Sequence, residues 1–339
     1  MADTIDMIPE SRRESVRAAL KATFGASTPG DARPIVGGVS GAQILRFVVS
    51  DRAYVLRLEP ERIAPSHRQR GFTAMAAAAA EGAAPPVHFA DATTGVAIMD
   101  FISGRPLSEH PGGPAGTAAA LGALIARVQT TTPFPELGDY PEMIAVQLAA
   151  LSASSLFAPG QLDAHADGLA RIRAELQWGA ASLVSSHNDP NPRNILFDGE
   201  RAWLIDWELA FLNDPLVDIA ILTTELAEPQ ELQDILFETA LGRAPDRHSR
   251  ARLSVVRLLT RLFYGCIVLE NFTAAPRPDL DASLGRLTPA VFRAAVADGR
   301  LASGAPETAY AFARMSLAAF IDGLAAPGFG EALAMAGHN

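Results

Sequence analysis

Ser185-Ser186-His187-Asn188-Asp189-Pro190-Asn191-Pro192-Arg193-Asn194-Ile195-Leu196, followed shortly by Trp203-Leu204-Ile205-Asp206-Trp207-Glu208, is the stretch whose reading decides the fold of this 339-residue chain. The first block sets a carboxylate, Asp189, on a Pro-broken loop, and a carboxamide, Asn194, where the apolar run Ile195-Leu196-Phe197 begins. The second block ends an apolar strand in another carboxylate, Asp206. Phosphoryl transfer asks little covalent chemistry of a protein. It needs a group that orients the acceptor, and oxygen ligands for Mg²⁺ on rigid neighbouring elements. Asp189, Asn194 and Asp206 supply that set.

Composition narrows the class. With 49% hydrophobic residues the chain can bury a large core, as one bilobal unit or two closely packed domains. The segment Met1 to Arg13 is polar and acidic with no apolar stretch behind a basic end, so neither a signal nor a transit peptide is expected. No uninterrupted apolar run reaches membrane-spanning length, and no membrane partner is expected. The single cysteine, Cys266, excludes an intramolecular disulfide and a Cys-rich metal site. That favours a reducing compartment, and the cytoplasm is the expected location. A formal net charge of −10 disfavours nucleic acid, whose phosphates bind to clustered Lys and Arg. Nothing in the sequence speaks to oligomeric state. Lys21 is the one lysine, so any other cation the chemistry needs must be arginine or histidine.

In chain order, Glu10 to Phe24 reads as an amphipathic helix closed by Gly25. Pro34 to Gly41, Gln43 to Val49 and Tyr54 to Leu58 read as a β-meander with Ser50-Asp51-Arg52 as a tight turn. The Gly37-Gly38-Val39-Ser40-Gly41 turn would let backbone N–H groups, Gly38 among them, and the Ser40 hydroxyl approach phosphate oxygens; an ordinary hairpin satisfies the same residues. A helix over Ser66 to Glu81 and strands Val87 to Ala90 and Val96 to Phe101 follow. The pattern turns helical after a lobe boundary near 101 to 106, with helices at 114–128, 141–152 and 162–179. Past Asp214 only helices are expected, the last over 308–324.

The spacing His187-x-Asp189 with Asn194, then Ile205-Asp206-Trp207-Glu208 and Asn213-Asp214-Pro215-x-x-Asp218, resembles the aminoglycoside phosphotransferase and choline kinase family, closest to its bacterial choline kinase-like branch. The resemblance spans roughly residues 36–220. It implies an α+β, bilobal, protein-kinase-like fold: a small antiparallel-sheet lobe for ATP over residues 1–102 and a larger, mainly helical lobe for catalysis and acceptor binding over residues 103–339. It implies an enzyme that moves the γ-phosphate of ATP, with Mg²⁺, to a hydroxyl of a choline-like amino alcohol, an aminoglycoside or a sugar. Asp189 is then the catalytic base, Asn194 and Asp206 the metal ligands, and His187 a structural residue. Asp218 resembles an aspartate that braces the catalytic loop, although a helix-opening acid reads the same way.

The same resemblance puts Arg57, on the strand Tyr54-Val55-Leu56-Arg57-Leu58, where a phosphate-binding cation belongs; a solvent-facing edge arginine is the alternative. Met99, Asp100 and Ile102 fall at the hinge that meets adenine, and Val55, Met99, Leu196 and Ile205 are candidate walls of its slot. In the family a glutamate on the next helix holds the cation, but His67-Arg68-Gln69-Arg70-Gly71-Phe72 carries no carboxylate, and Gln69 and Glu81 are poor substitutes. That departure motivates a second reading, a nucleotide-binding pseudokinase without turnover. For the acceptor, Trp207, Glu208, Phe211, Phe263, Tyr264 and Glu270 are candidates for an aromatic and acidic pocket. Glu208 reads equally as a group behind the metal or as an acceptor-site anion.

Overall fold

The computed structural model describes residues 4–25, 29–35, 41–179, 183–225, 229–275 and 277–337. The chain forms two compact units, Met1–Leu137 with Val184–Ala244 and Gly138–Leu183 with Pro245–Asn339.

The first unit begins with α1 (Arg13–Phe24), whose Val16, Ala19 and Leu20 are buried at helical spacing and which ends where Gly25 takes a φ of 67°. Five antiparallel strands follow: β1 (Gly30–Pro34), β2 (Gln43–Val49), β3 (Arg52–Leu58), and, beyond α2 (Pro65–Ala80), β4 (Val87–Asp91) and β5 (Val96–Asp100). Their order across the sheet is β1-β2-β3-β5-β4. Ser50 and Asp51 both take positive φ, 48° and 66°, the two-residue turn whose twist matches that of flanking strands. On β3 the alternation is sharp: Tyr54, Leu56 and Leu58 are buried against α1 with Leu45, Phe47 and Ile98, which turns Val55 and Arg57 to the opposite face.

The first strand lies earlier than expected, at Gly30–Pro34 instead of starting at Pro34. As an edge strand pairing only with β2, it tolerates Gly, Asp and Pro that read as turn residues.

Next in the chain come α3 (Gly113–Gln129), then α4 (Tyr140–Ala153) and α5 (Asp163–Glu175) of the second unit. The chain returns to the first unit with four short strands, β6 (Val184–Ser186), β7 (Ile195–Phe197), β8 (Ala202–Leu204) and β9 (Phe211–Asn213), and helices α6 (Leu216–Glu225) and α7 (Gln230–Leu241). Strands β6 and β9 pair antiparallel, as do β7 and β8. Helix α3 packs on α7 where Gly122 lets the backbones close: a Cβ there would stand 2.5 Å from the Leu236 carbonyl oxygen.

The second unit is completed by α8 (Arg247–Glu270), α9 (Pro289–Ala297), α10 (Pro306–Leu324) and α11 (Phe329–Gly337). Helix α8 is its axis, burying Leu259, Leu262, Phe263, Cys266 and Leu269. Burial pushes the Cys266 thiol up to about 12, so it stays protonated and inert. Helix α11 lies beyond the last expected helix; its Gly- and Ala-rich sequence carries Phe329 and Leu333 as the buried anchors. No single helix among the described residues is long and apolar enough to cross a membrane.

Candidate functional site

Strand β6 ends at Ser186, and the loop that follows is fixed by buried polar groups. Asp218, in the first turn of α6, accepts the backbone N–H of His187 at 2.8 Å and of Asn188 at 2.7 Å. Burial pushes its carboxyl up to about 6, against the two N–H bonds that favour the charged form. Asn188 holds a φ of 63°, which Asn tolerates better than most residues. Its side chain donates to the carbonyls of Ser186 (3.2 Å) and Leu209 (2.9 Å) and accepts from Asn213 Nδ2 (2.7 Å), tying the loop to β9.

His187 is wholly buried, and the partners of its ring nitrogens assign the tautomer. Nε2 sits 3.0 Å from the Ile205 carbonyl and so carries the hydrogen, while Nδ1 accepts the Asp189 N–H at 3.2 Å. Burial pushes the imidazole down to about 4, and the ring packs edge-on against Trp207 at 4.6 Å. His187 is thus a neutral spacer between the loop and the strand end that carries Asp206.

Asp189 is half-buried and oriented by two carboxamides. Asn191 Nδ2 donates to its Oδ1 at 2.8 Å, and Asn194 Nδ2 donates to its Oδ2 and to its carbonyl, both at 2.9 Å. With its amide protons spent on Asp189, Asn194 has the oxygen Oδ1 left to offer a cation. The β7–β8 ladder brings the next carboxylate alongside: the Ile205 N–H donates to the Asn194 carbonyl at 2.9 Å, and Asp206 follows with φ 70° and ψ 68°. Left-handed backbone at an aspartate carries strain, of the kind that clusters at functional positions.

Opposite stands Arg57, its side chain 11% exposed. Nη2 donates to Asp206 Oδ1 at 2.9 Å and to Glu208 Oε1, and Nε donates to Glu59 Oε1 at 2.5 Å. The three carboxylates raise the guanidinium further above its usual range against the opposing effect of burial, so it stays charged. Arg57 is therefore an inward-facing cation, not an exposed edge residue. Burial and the Asp206 charge push Glu208 up to about 7 although Arg57 opposes them. Among the described residues no three His, Cys, Asp or Glu side chains converge as a metal cluster.

A cavity of about 420 Å³ adjoins these groups. Val55, Met99, Ile102, Leu196 and Ile205 line it, as do Arg57, Glu59, Asp206 and Glu208. Asp100 does not: its carboxylate pairs with Arg52 (2.5 Å) and His88 (2.7 Å), and its N–H goes to the Pro86 carbonyl. Gly38 and Ser40 lie outside the described residues.

Of the aromatic candidates, Trp207 is buried against His187 and Phe134, and Phe211 is buried in β9. Phe263 and Tyr264 belong to the second unit, where Phe263 packs on Tyr140 and Tyr264 lies edge-on to Phe312; Glu270 is exposed at the end of α8.

Two site residues escaped the sequence reading. Glu59 follows Arg57 at the strand period of two, and that spacing is the signal that would have found it. Arg70, on α2, lines the cavity, donates to the Glu208 carbonyl at 3.2 Å, and keeps Nε buried without a hydrogen-bond partner among the described residues.

Residues 31–253 match the family model described as phosphotransferase enzyme family. The chain is similar to protein LicA of Haemophilus influenzae (strain ATCC 51907 / DSM 11121 / KW20 / Rd), with 42% identity over 66 residues. That match spans 20% of this chain and about a quarter (25%) of the relative's length. Among solved structures, a choline/ethanolamine kinase family protein from Mesorhizobium loti superposes with a TM-score of 0.66 at 22% identity, covering 95% of this chain and 98% of the other. Choline kinase LicA from Streptococcus pneumoniae gives 0.63 at 14% identity over 91% and 100%. A spectinomycin phosphotransferase solved with ADP and spectinomycin gives 0.57 at 14% identity over 89% and 98%. These likenesses share the kinase-like α+β fold expected from the sequence. With two-thirds of its length matched and that fold in place, the chain belongs to the phosphotransferase enzyme family.

Proposed function

We propose that the chain is a small-molecule kinase that moves the γ-phosphate of ATP to a hydroxyl group with Mg²⁺ bound, and that its acceptor is a choline-like amino alcohol, an aminoglycoside or a sugar. The observation that carries this reading is the link through Asn194: its side chain holds the carboxylate of Asp189, its carbonyl takes the N–H of Ile205, and the next residue, Asp206, pairs with Arg57 beside an apolar cavity.

Asp189 is held by Asn191 and Asn194 so that its carboxylate can accept a hydrogen bond from the acceptor hydroxyl. The acceptor oxygen bonds to the γ-phosphorus as the bond from that phosphorus to the β,γ-bridging oxygen breaks; ADP leaves, and the hydroxyl proton departs through Asp189. The donor set fits the metal: one carboxylate from Asp206 and one amide oxygen from Asn194 are hard ligands, few enough to leave positions for phosphate and water. Mg²⁺ held there supplies neutralisation of phosphate charge. Arg57 offers a second positive group, and the walls built by Val55, Met99, Leu196 and Ile205 suit a nucleobase. Of the two roles open to Glu208, its bond to Arg57, which also bonds Asp206, supports the one behind the metal. The choline, ethanolamine and spectinomycin named for the similar proteins support the acceptor class.

The test is Mg²⁺-dependent ADP release over a panel of choline, ethanolamine, spectinomycin and hexoses, wild type against Asp189→Asn. Acceptor-stimulated release, cut roughly a hundredfold or more by the substitution, is the expected result. Mg·ATP binding with no stimulated turnover on any acceptor would favour a nucleotide-binding protein without catalysis.

A further inference from the structure

Arg57 needs a fixed geometry to serve phosphate, and α2 offers it no carboxylate. Gln69 is exposed and bonds Thr73, and Glu81 is exposed past the end of the helix. Where α2 meets the strand end it presents Gly71, whose missing Cβ would stand 3.3 Å from the Trp207 carbonyl oxygen and 3.7 Å from the Glu208 Cα. That contact leaves little room for a longer side chain.

We propose that Glu59 is the positioning residue for Arg57, so that the carboxylate orienting the phosphate grip comes from the residue just past β3 and not from a side chain of α2. The proposal rests on the phosphotransferase reading above.

Three observations carry it. The first is direct: Glu59 Oε1 accepts Arg57 Nε at 2.5 Å, with Glu59 5% and Arg57 11% exposed at the side chain. A guanidinium is planar, so fixing Nε on one side and Nη2 on the other fixes its plane. The second is the anchoring of Glu59 itself. Its N–H goes to the Gly95 carbonyl at 2.8 Å, and its carbonyl accepts Arg12 Nη1 at 2.9 Å. Arg12 is buried and also reaches the Thr94 carbonyl at 2.5 Å. Arg68 of α2, also buried, holds the carbonyls of Pro60 (2.9 Å) and Glu61 (3.1 Å) just beyond. Two buried arginines thus clamp the backbone around Glu59. The third is a cost: Glu59 Oε2 is buried and has no hydrogen-bond partner among the described residues. A buried carboxylate with one oxygen unpaired costs the fold free energy, which offsets what its pair with Arg57 contributes.

The experiment is Mg·ATP binding by titration calorimetry on the full chain, for wild type, Glu59→Gln, Arg57→Ala and the double variant, with unfolding midpoints alongside. Glu59→Gln should weaken Mg·ATP about tenfold with its midpoint kept, and should add nothing once Arg57 is gone. An unchanged affinity, or the same loss in the Arg57→Ala background, would overturn the positioning role and leave the kinase reading intact. Failure of the wild type to bind Mg·ATP would sink that reading and this proposal with it.

Discussion

The backbone N–H of His187 donates to Asp218 Oδ2 at 2.8 Å, across a sequence gap of 31 residues and with both residues fully buried. One carboxylate on α6 therefore sets the start of the loop that ends in Asp189, because its other oxygen takes the next N–H, from Asn188.

Asp218→Asn should separate this bracing from a simple helix-end effect. The amide keeps one acceptor and sets an NH₂ against a backbone donor, leaving a buried N–H unpaired at a cost of roughly 1–3 kcal/mol. Urea unfolding should register that loss, and turnover should fall as Asp189 shifts, while Mg·ATP still binds. A variant with wild-type stability and turnover would show that the two N–H bonds are dispensable.

The sequence made the second half of the site legible because its parts are local. Asp189 and Asn194 lie five residues apart on one loop and bond each other, and Asp206 follows just after a short apolar strand, so residue chemistry and the resemblance together grouped them. Asp218 was legible only as an alternative, since nothing in a linear pattern distinguishes a buried brace from a helix-opening acid. Glu59 escaped because the resemblance points to the helix α2 for the carboxylate of Arg57, where this chain has none, whereas the strand period puts one two residues away on the same face. Trp207 was read for its ring chemistry, but the left-handed turn at Asp206 drops that ring into the core against His187. The first strand was displaced because edge strands accept residues that a pattern search assigns to turns.

His187 should leave a mark on acid stability. Its folded pKa of about 4 lies below the ordinary value of 6.5, so between those values the unfolded chain takes up a proton that the folded chain does not. Stability from this group is complete above pH 6.5 and is lost as pH falls toward 4, by about 1.4 kcal/mol per pH unit within the window. Asp218, raised to about 6, works in the opposite sense below that pH, so the wild-type curve alone is ambiguous. The difference between wild type and His187→Gln isolates the imidazole: urea unfolding at several pH values should give a steeper acid loss for the wild type. Parallel curves would mean that His187 is not held neutral.

Gly122 tests the packing that carries α6 and α7 behind the site. A helical Gly→Ala change gains about 1 kcal/mol of propensity in open surroundings. Here the added Cβ would stand 2.5 Å from the Leu236 carbonyl oxygen and 2.8 Å from Thr239 Cβ. The first of these is backbone and cannot rotate aside, so α3 and α7 must move apart, and overpacking of that kind costs roughly 1–3 kcal/mol. The cost exceeds the gain, and Gly122→Ala should lower the urea midpoint of the first unit. A midpoint at or above that of the wild type would show that the two helices can part freely and that the close approach does not hold this unit together.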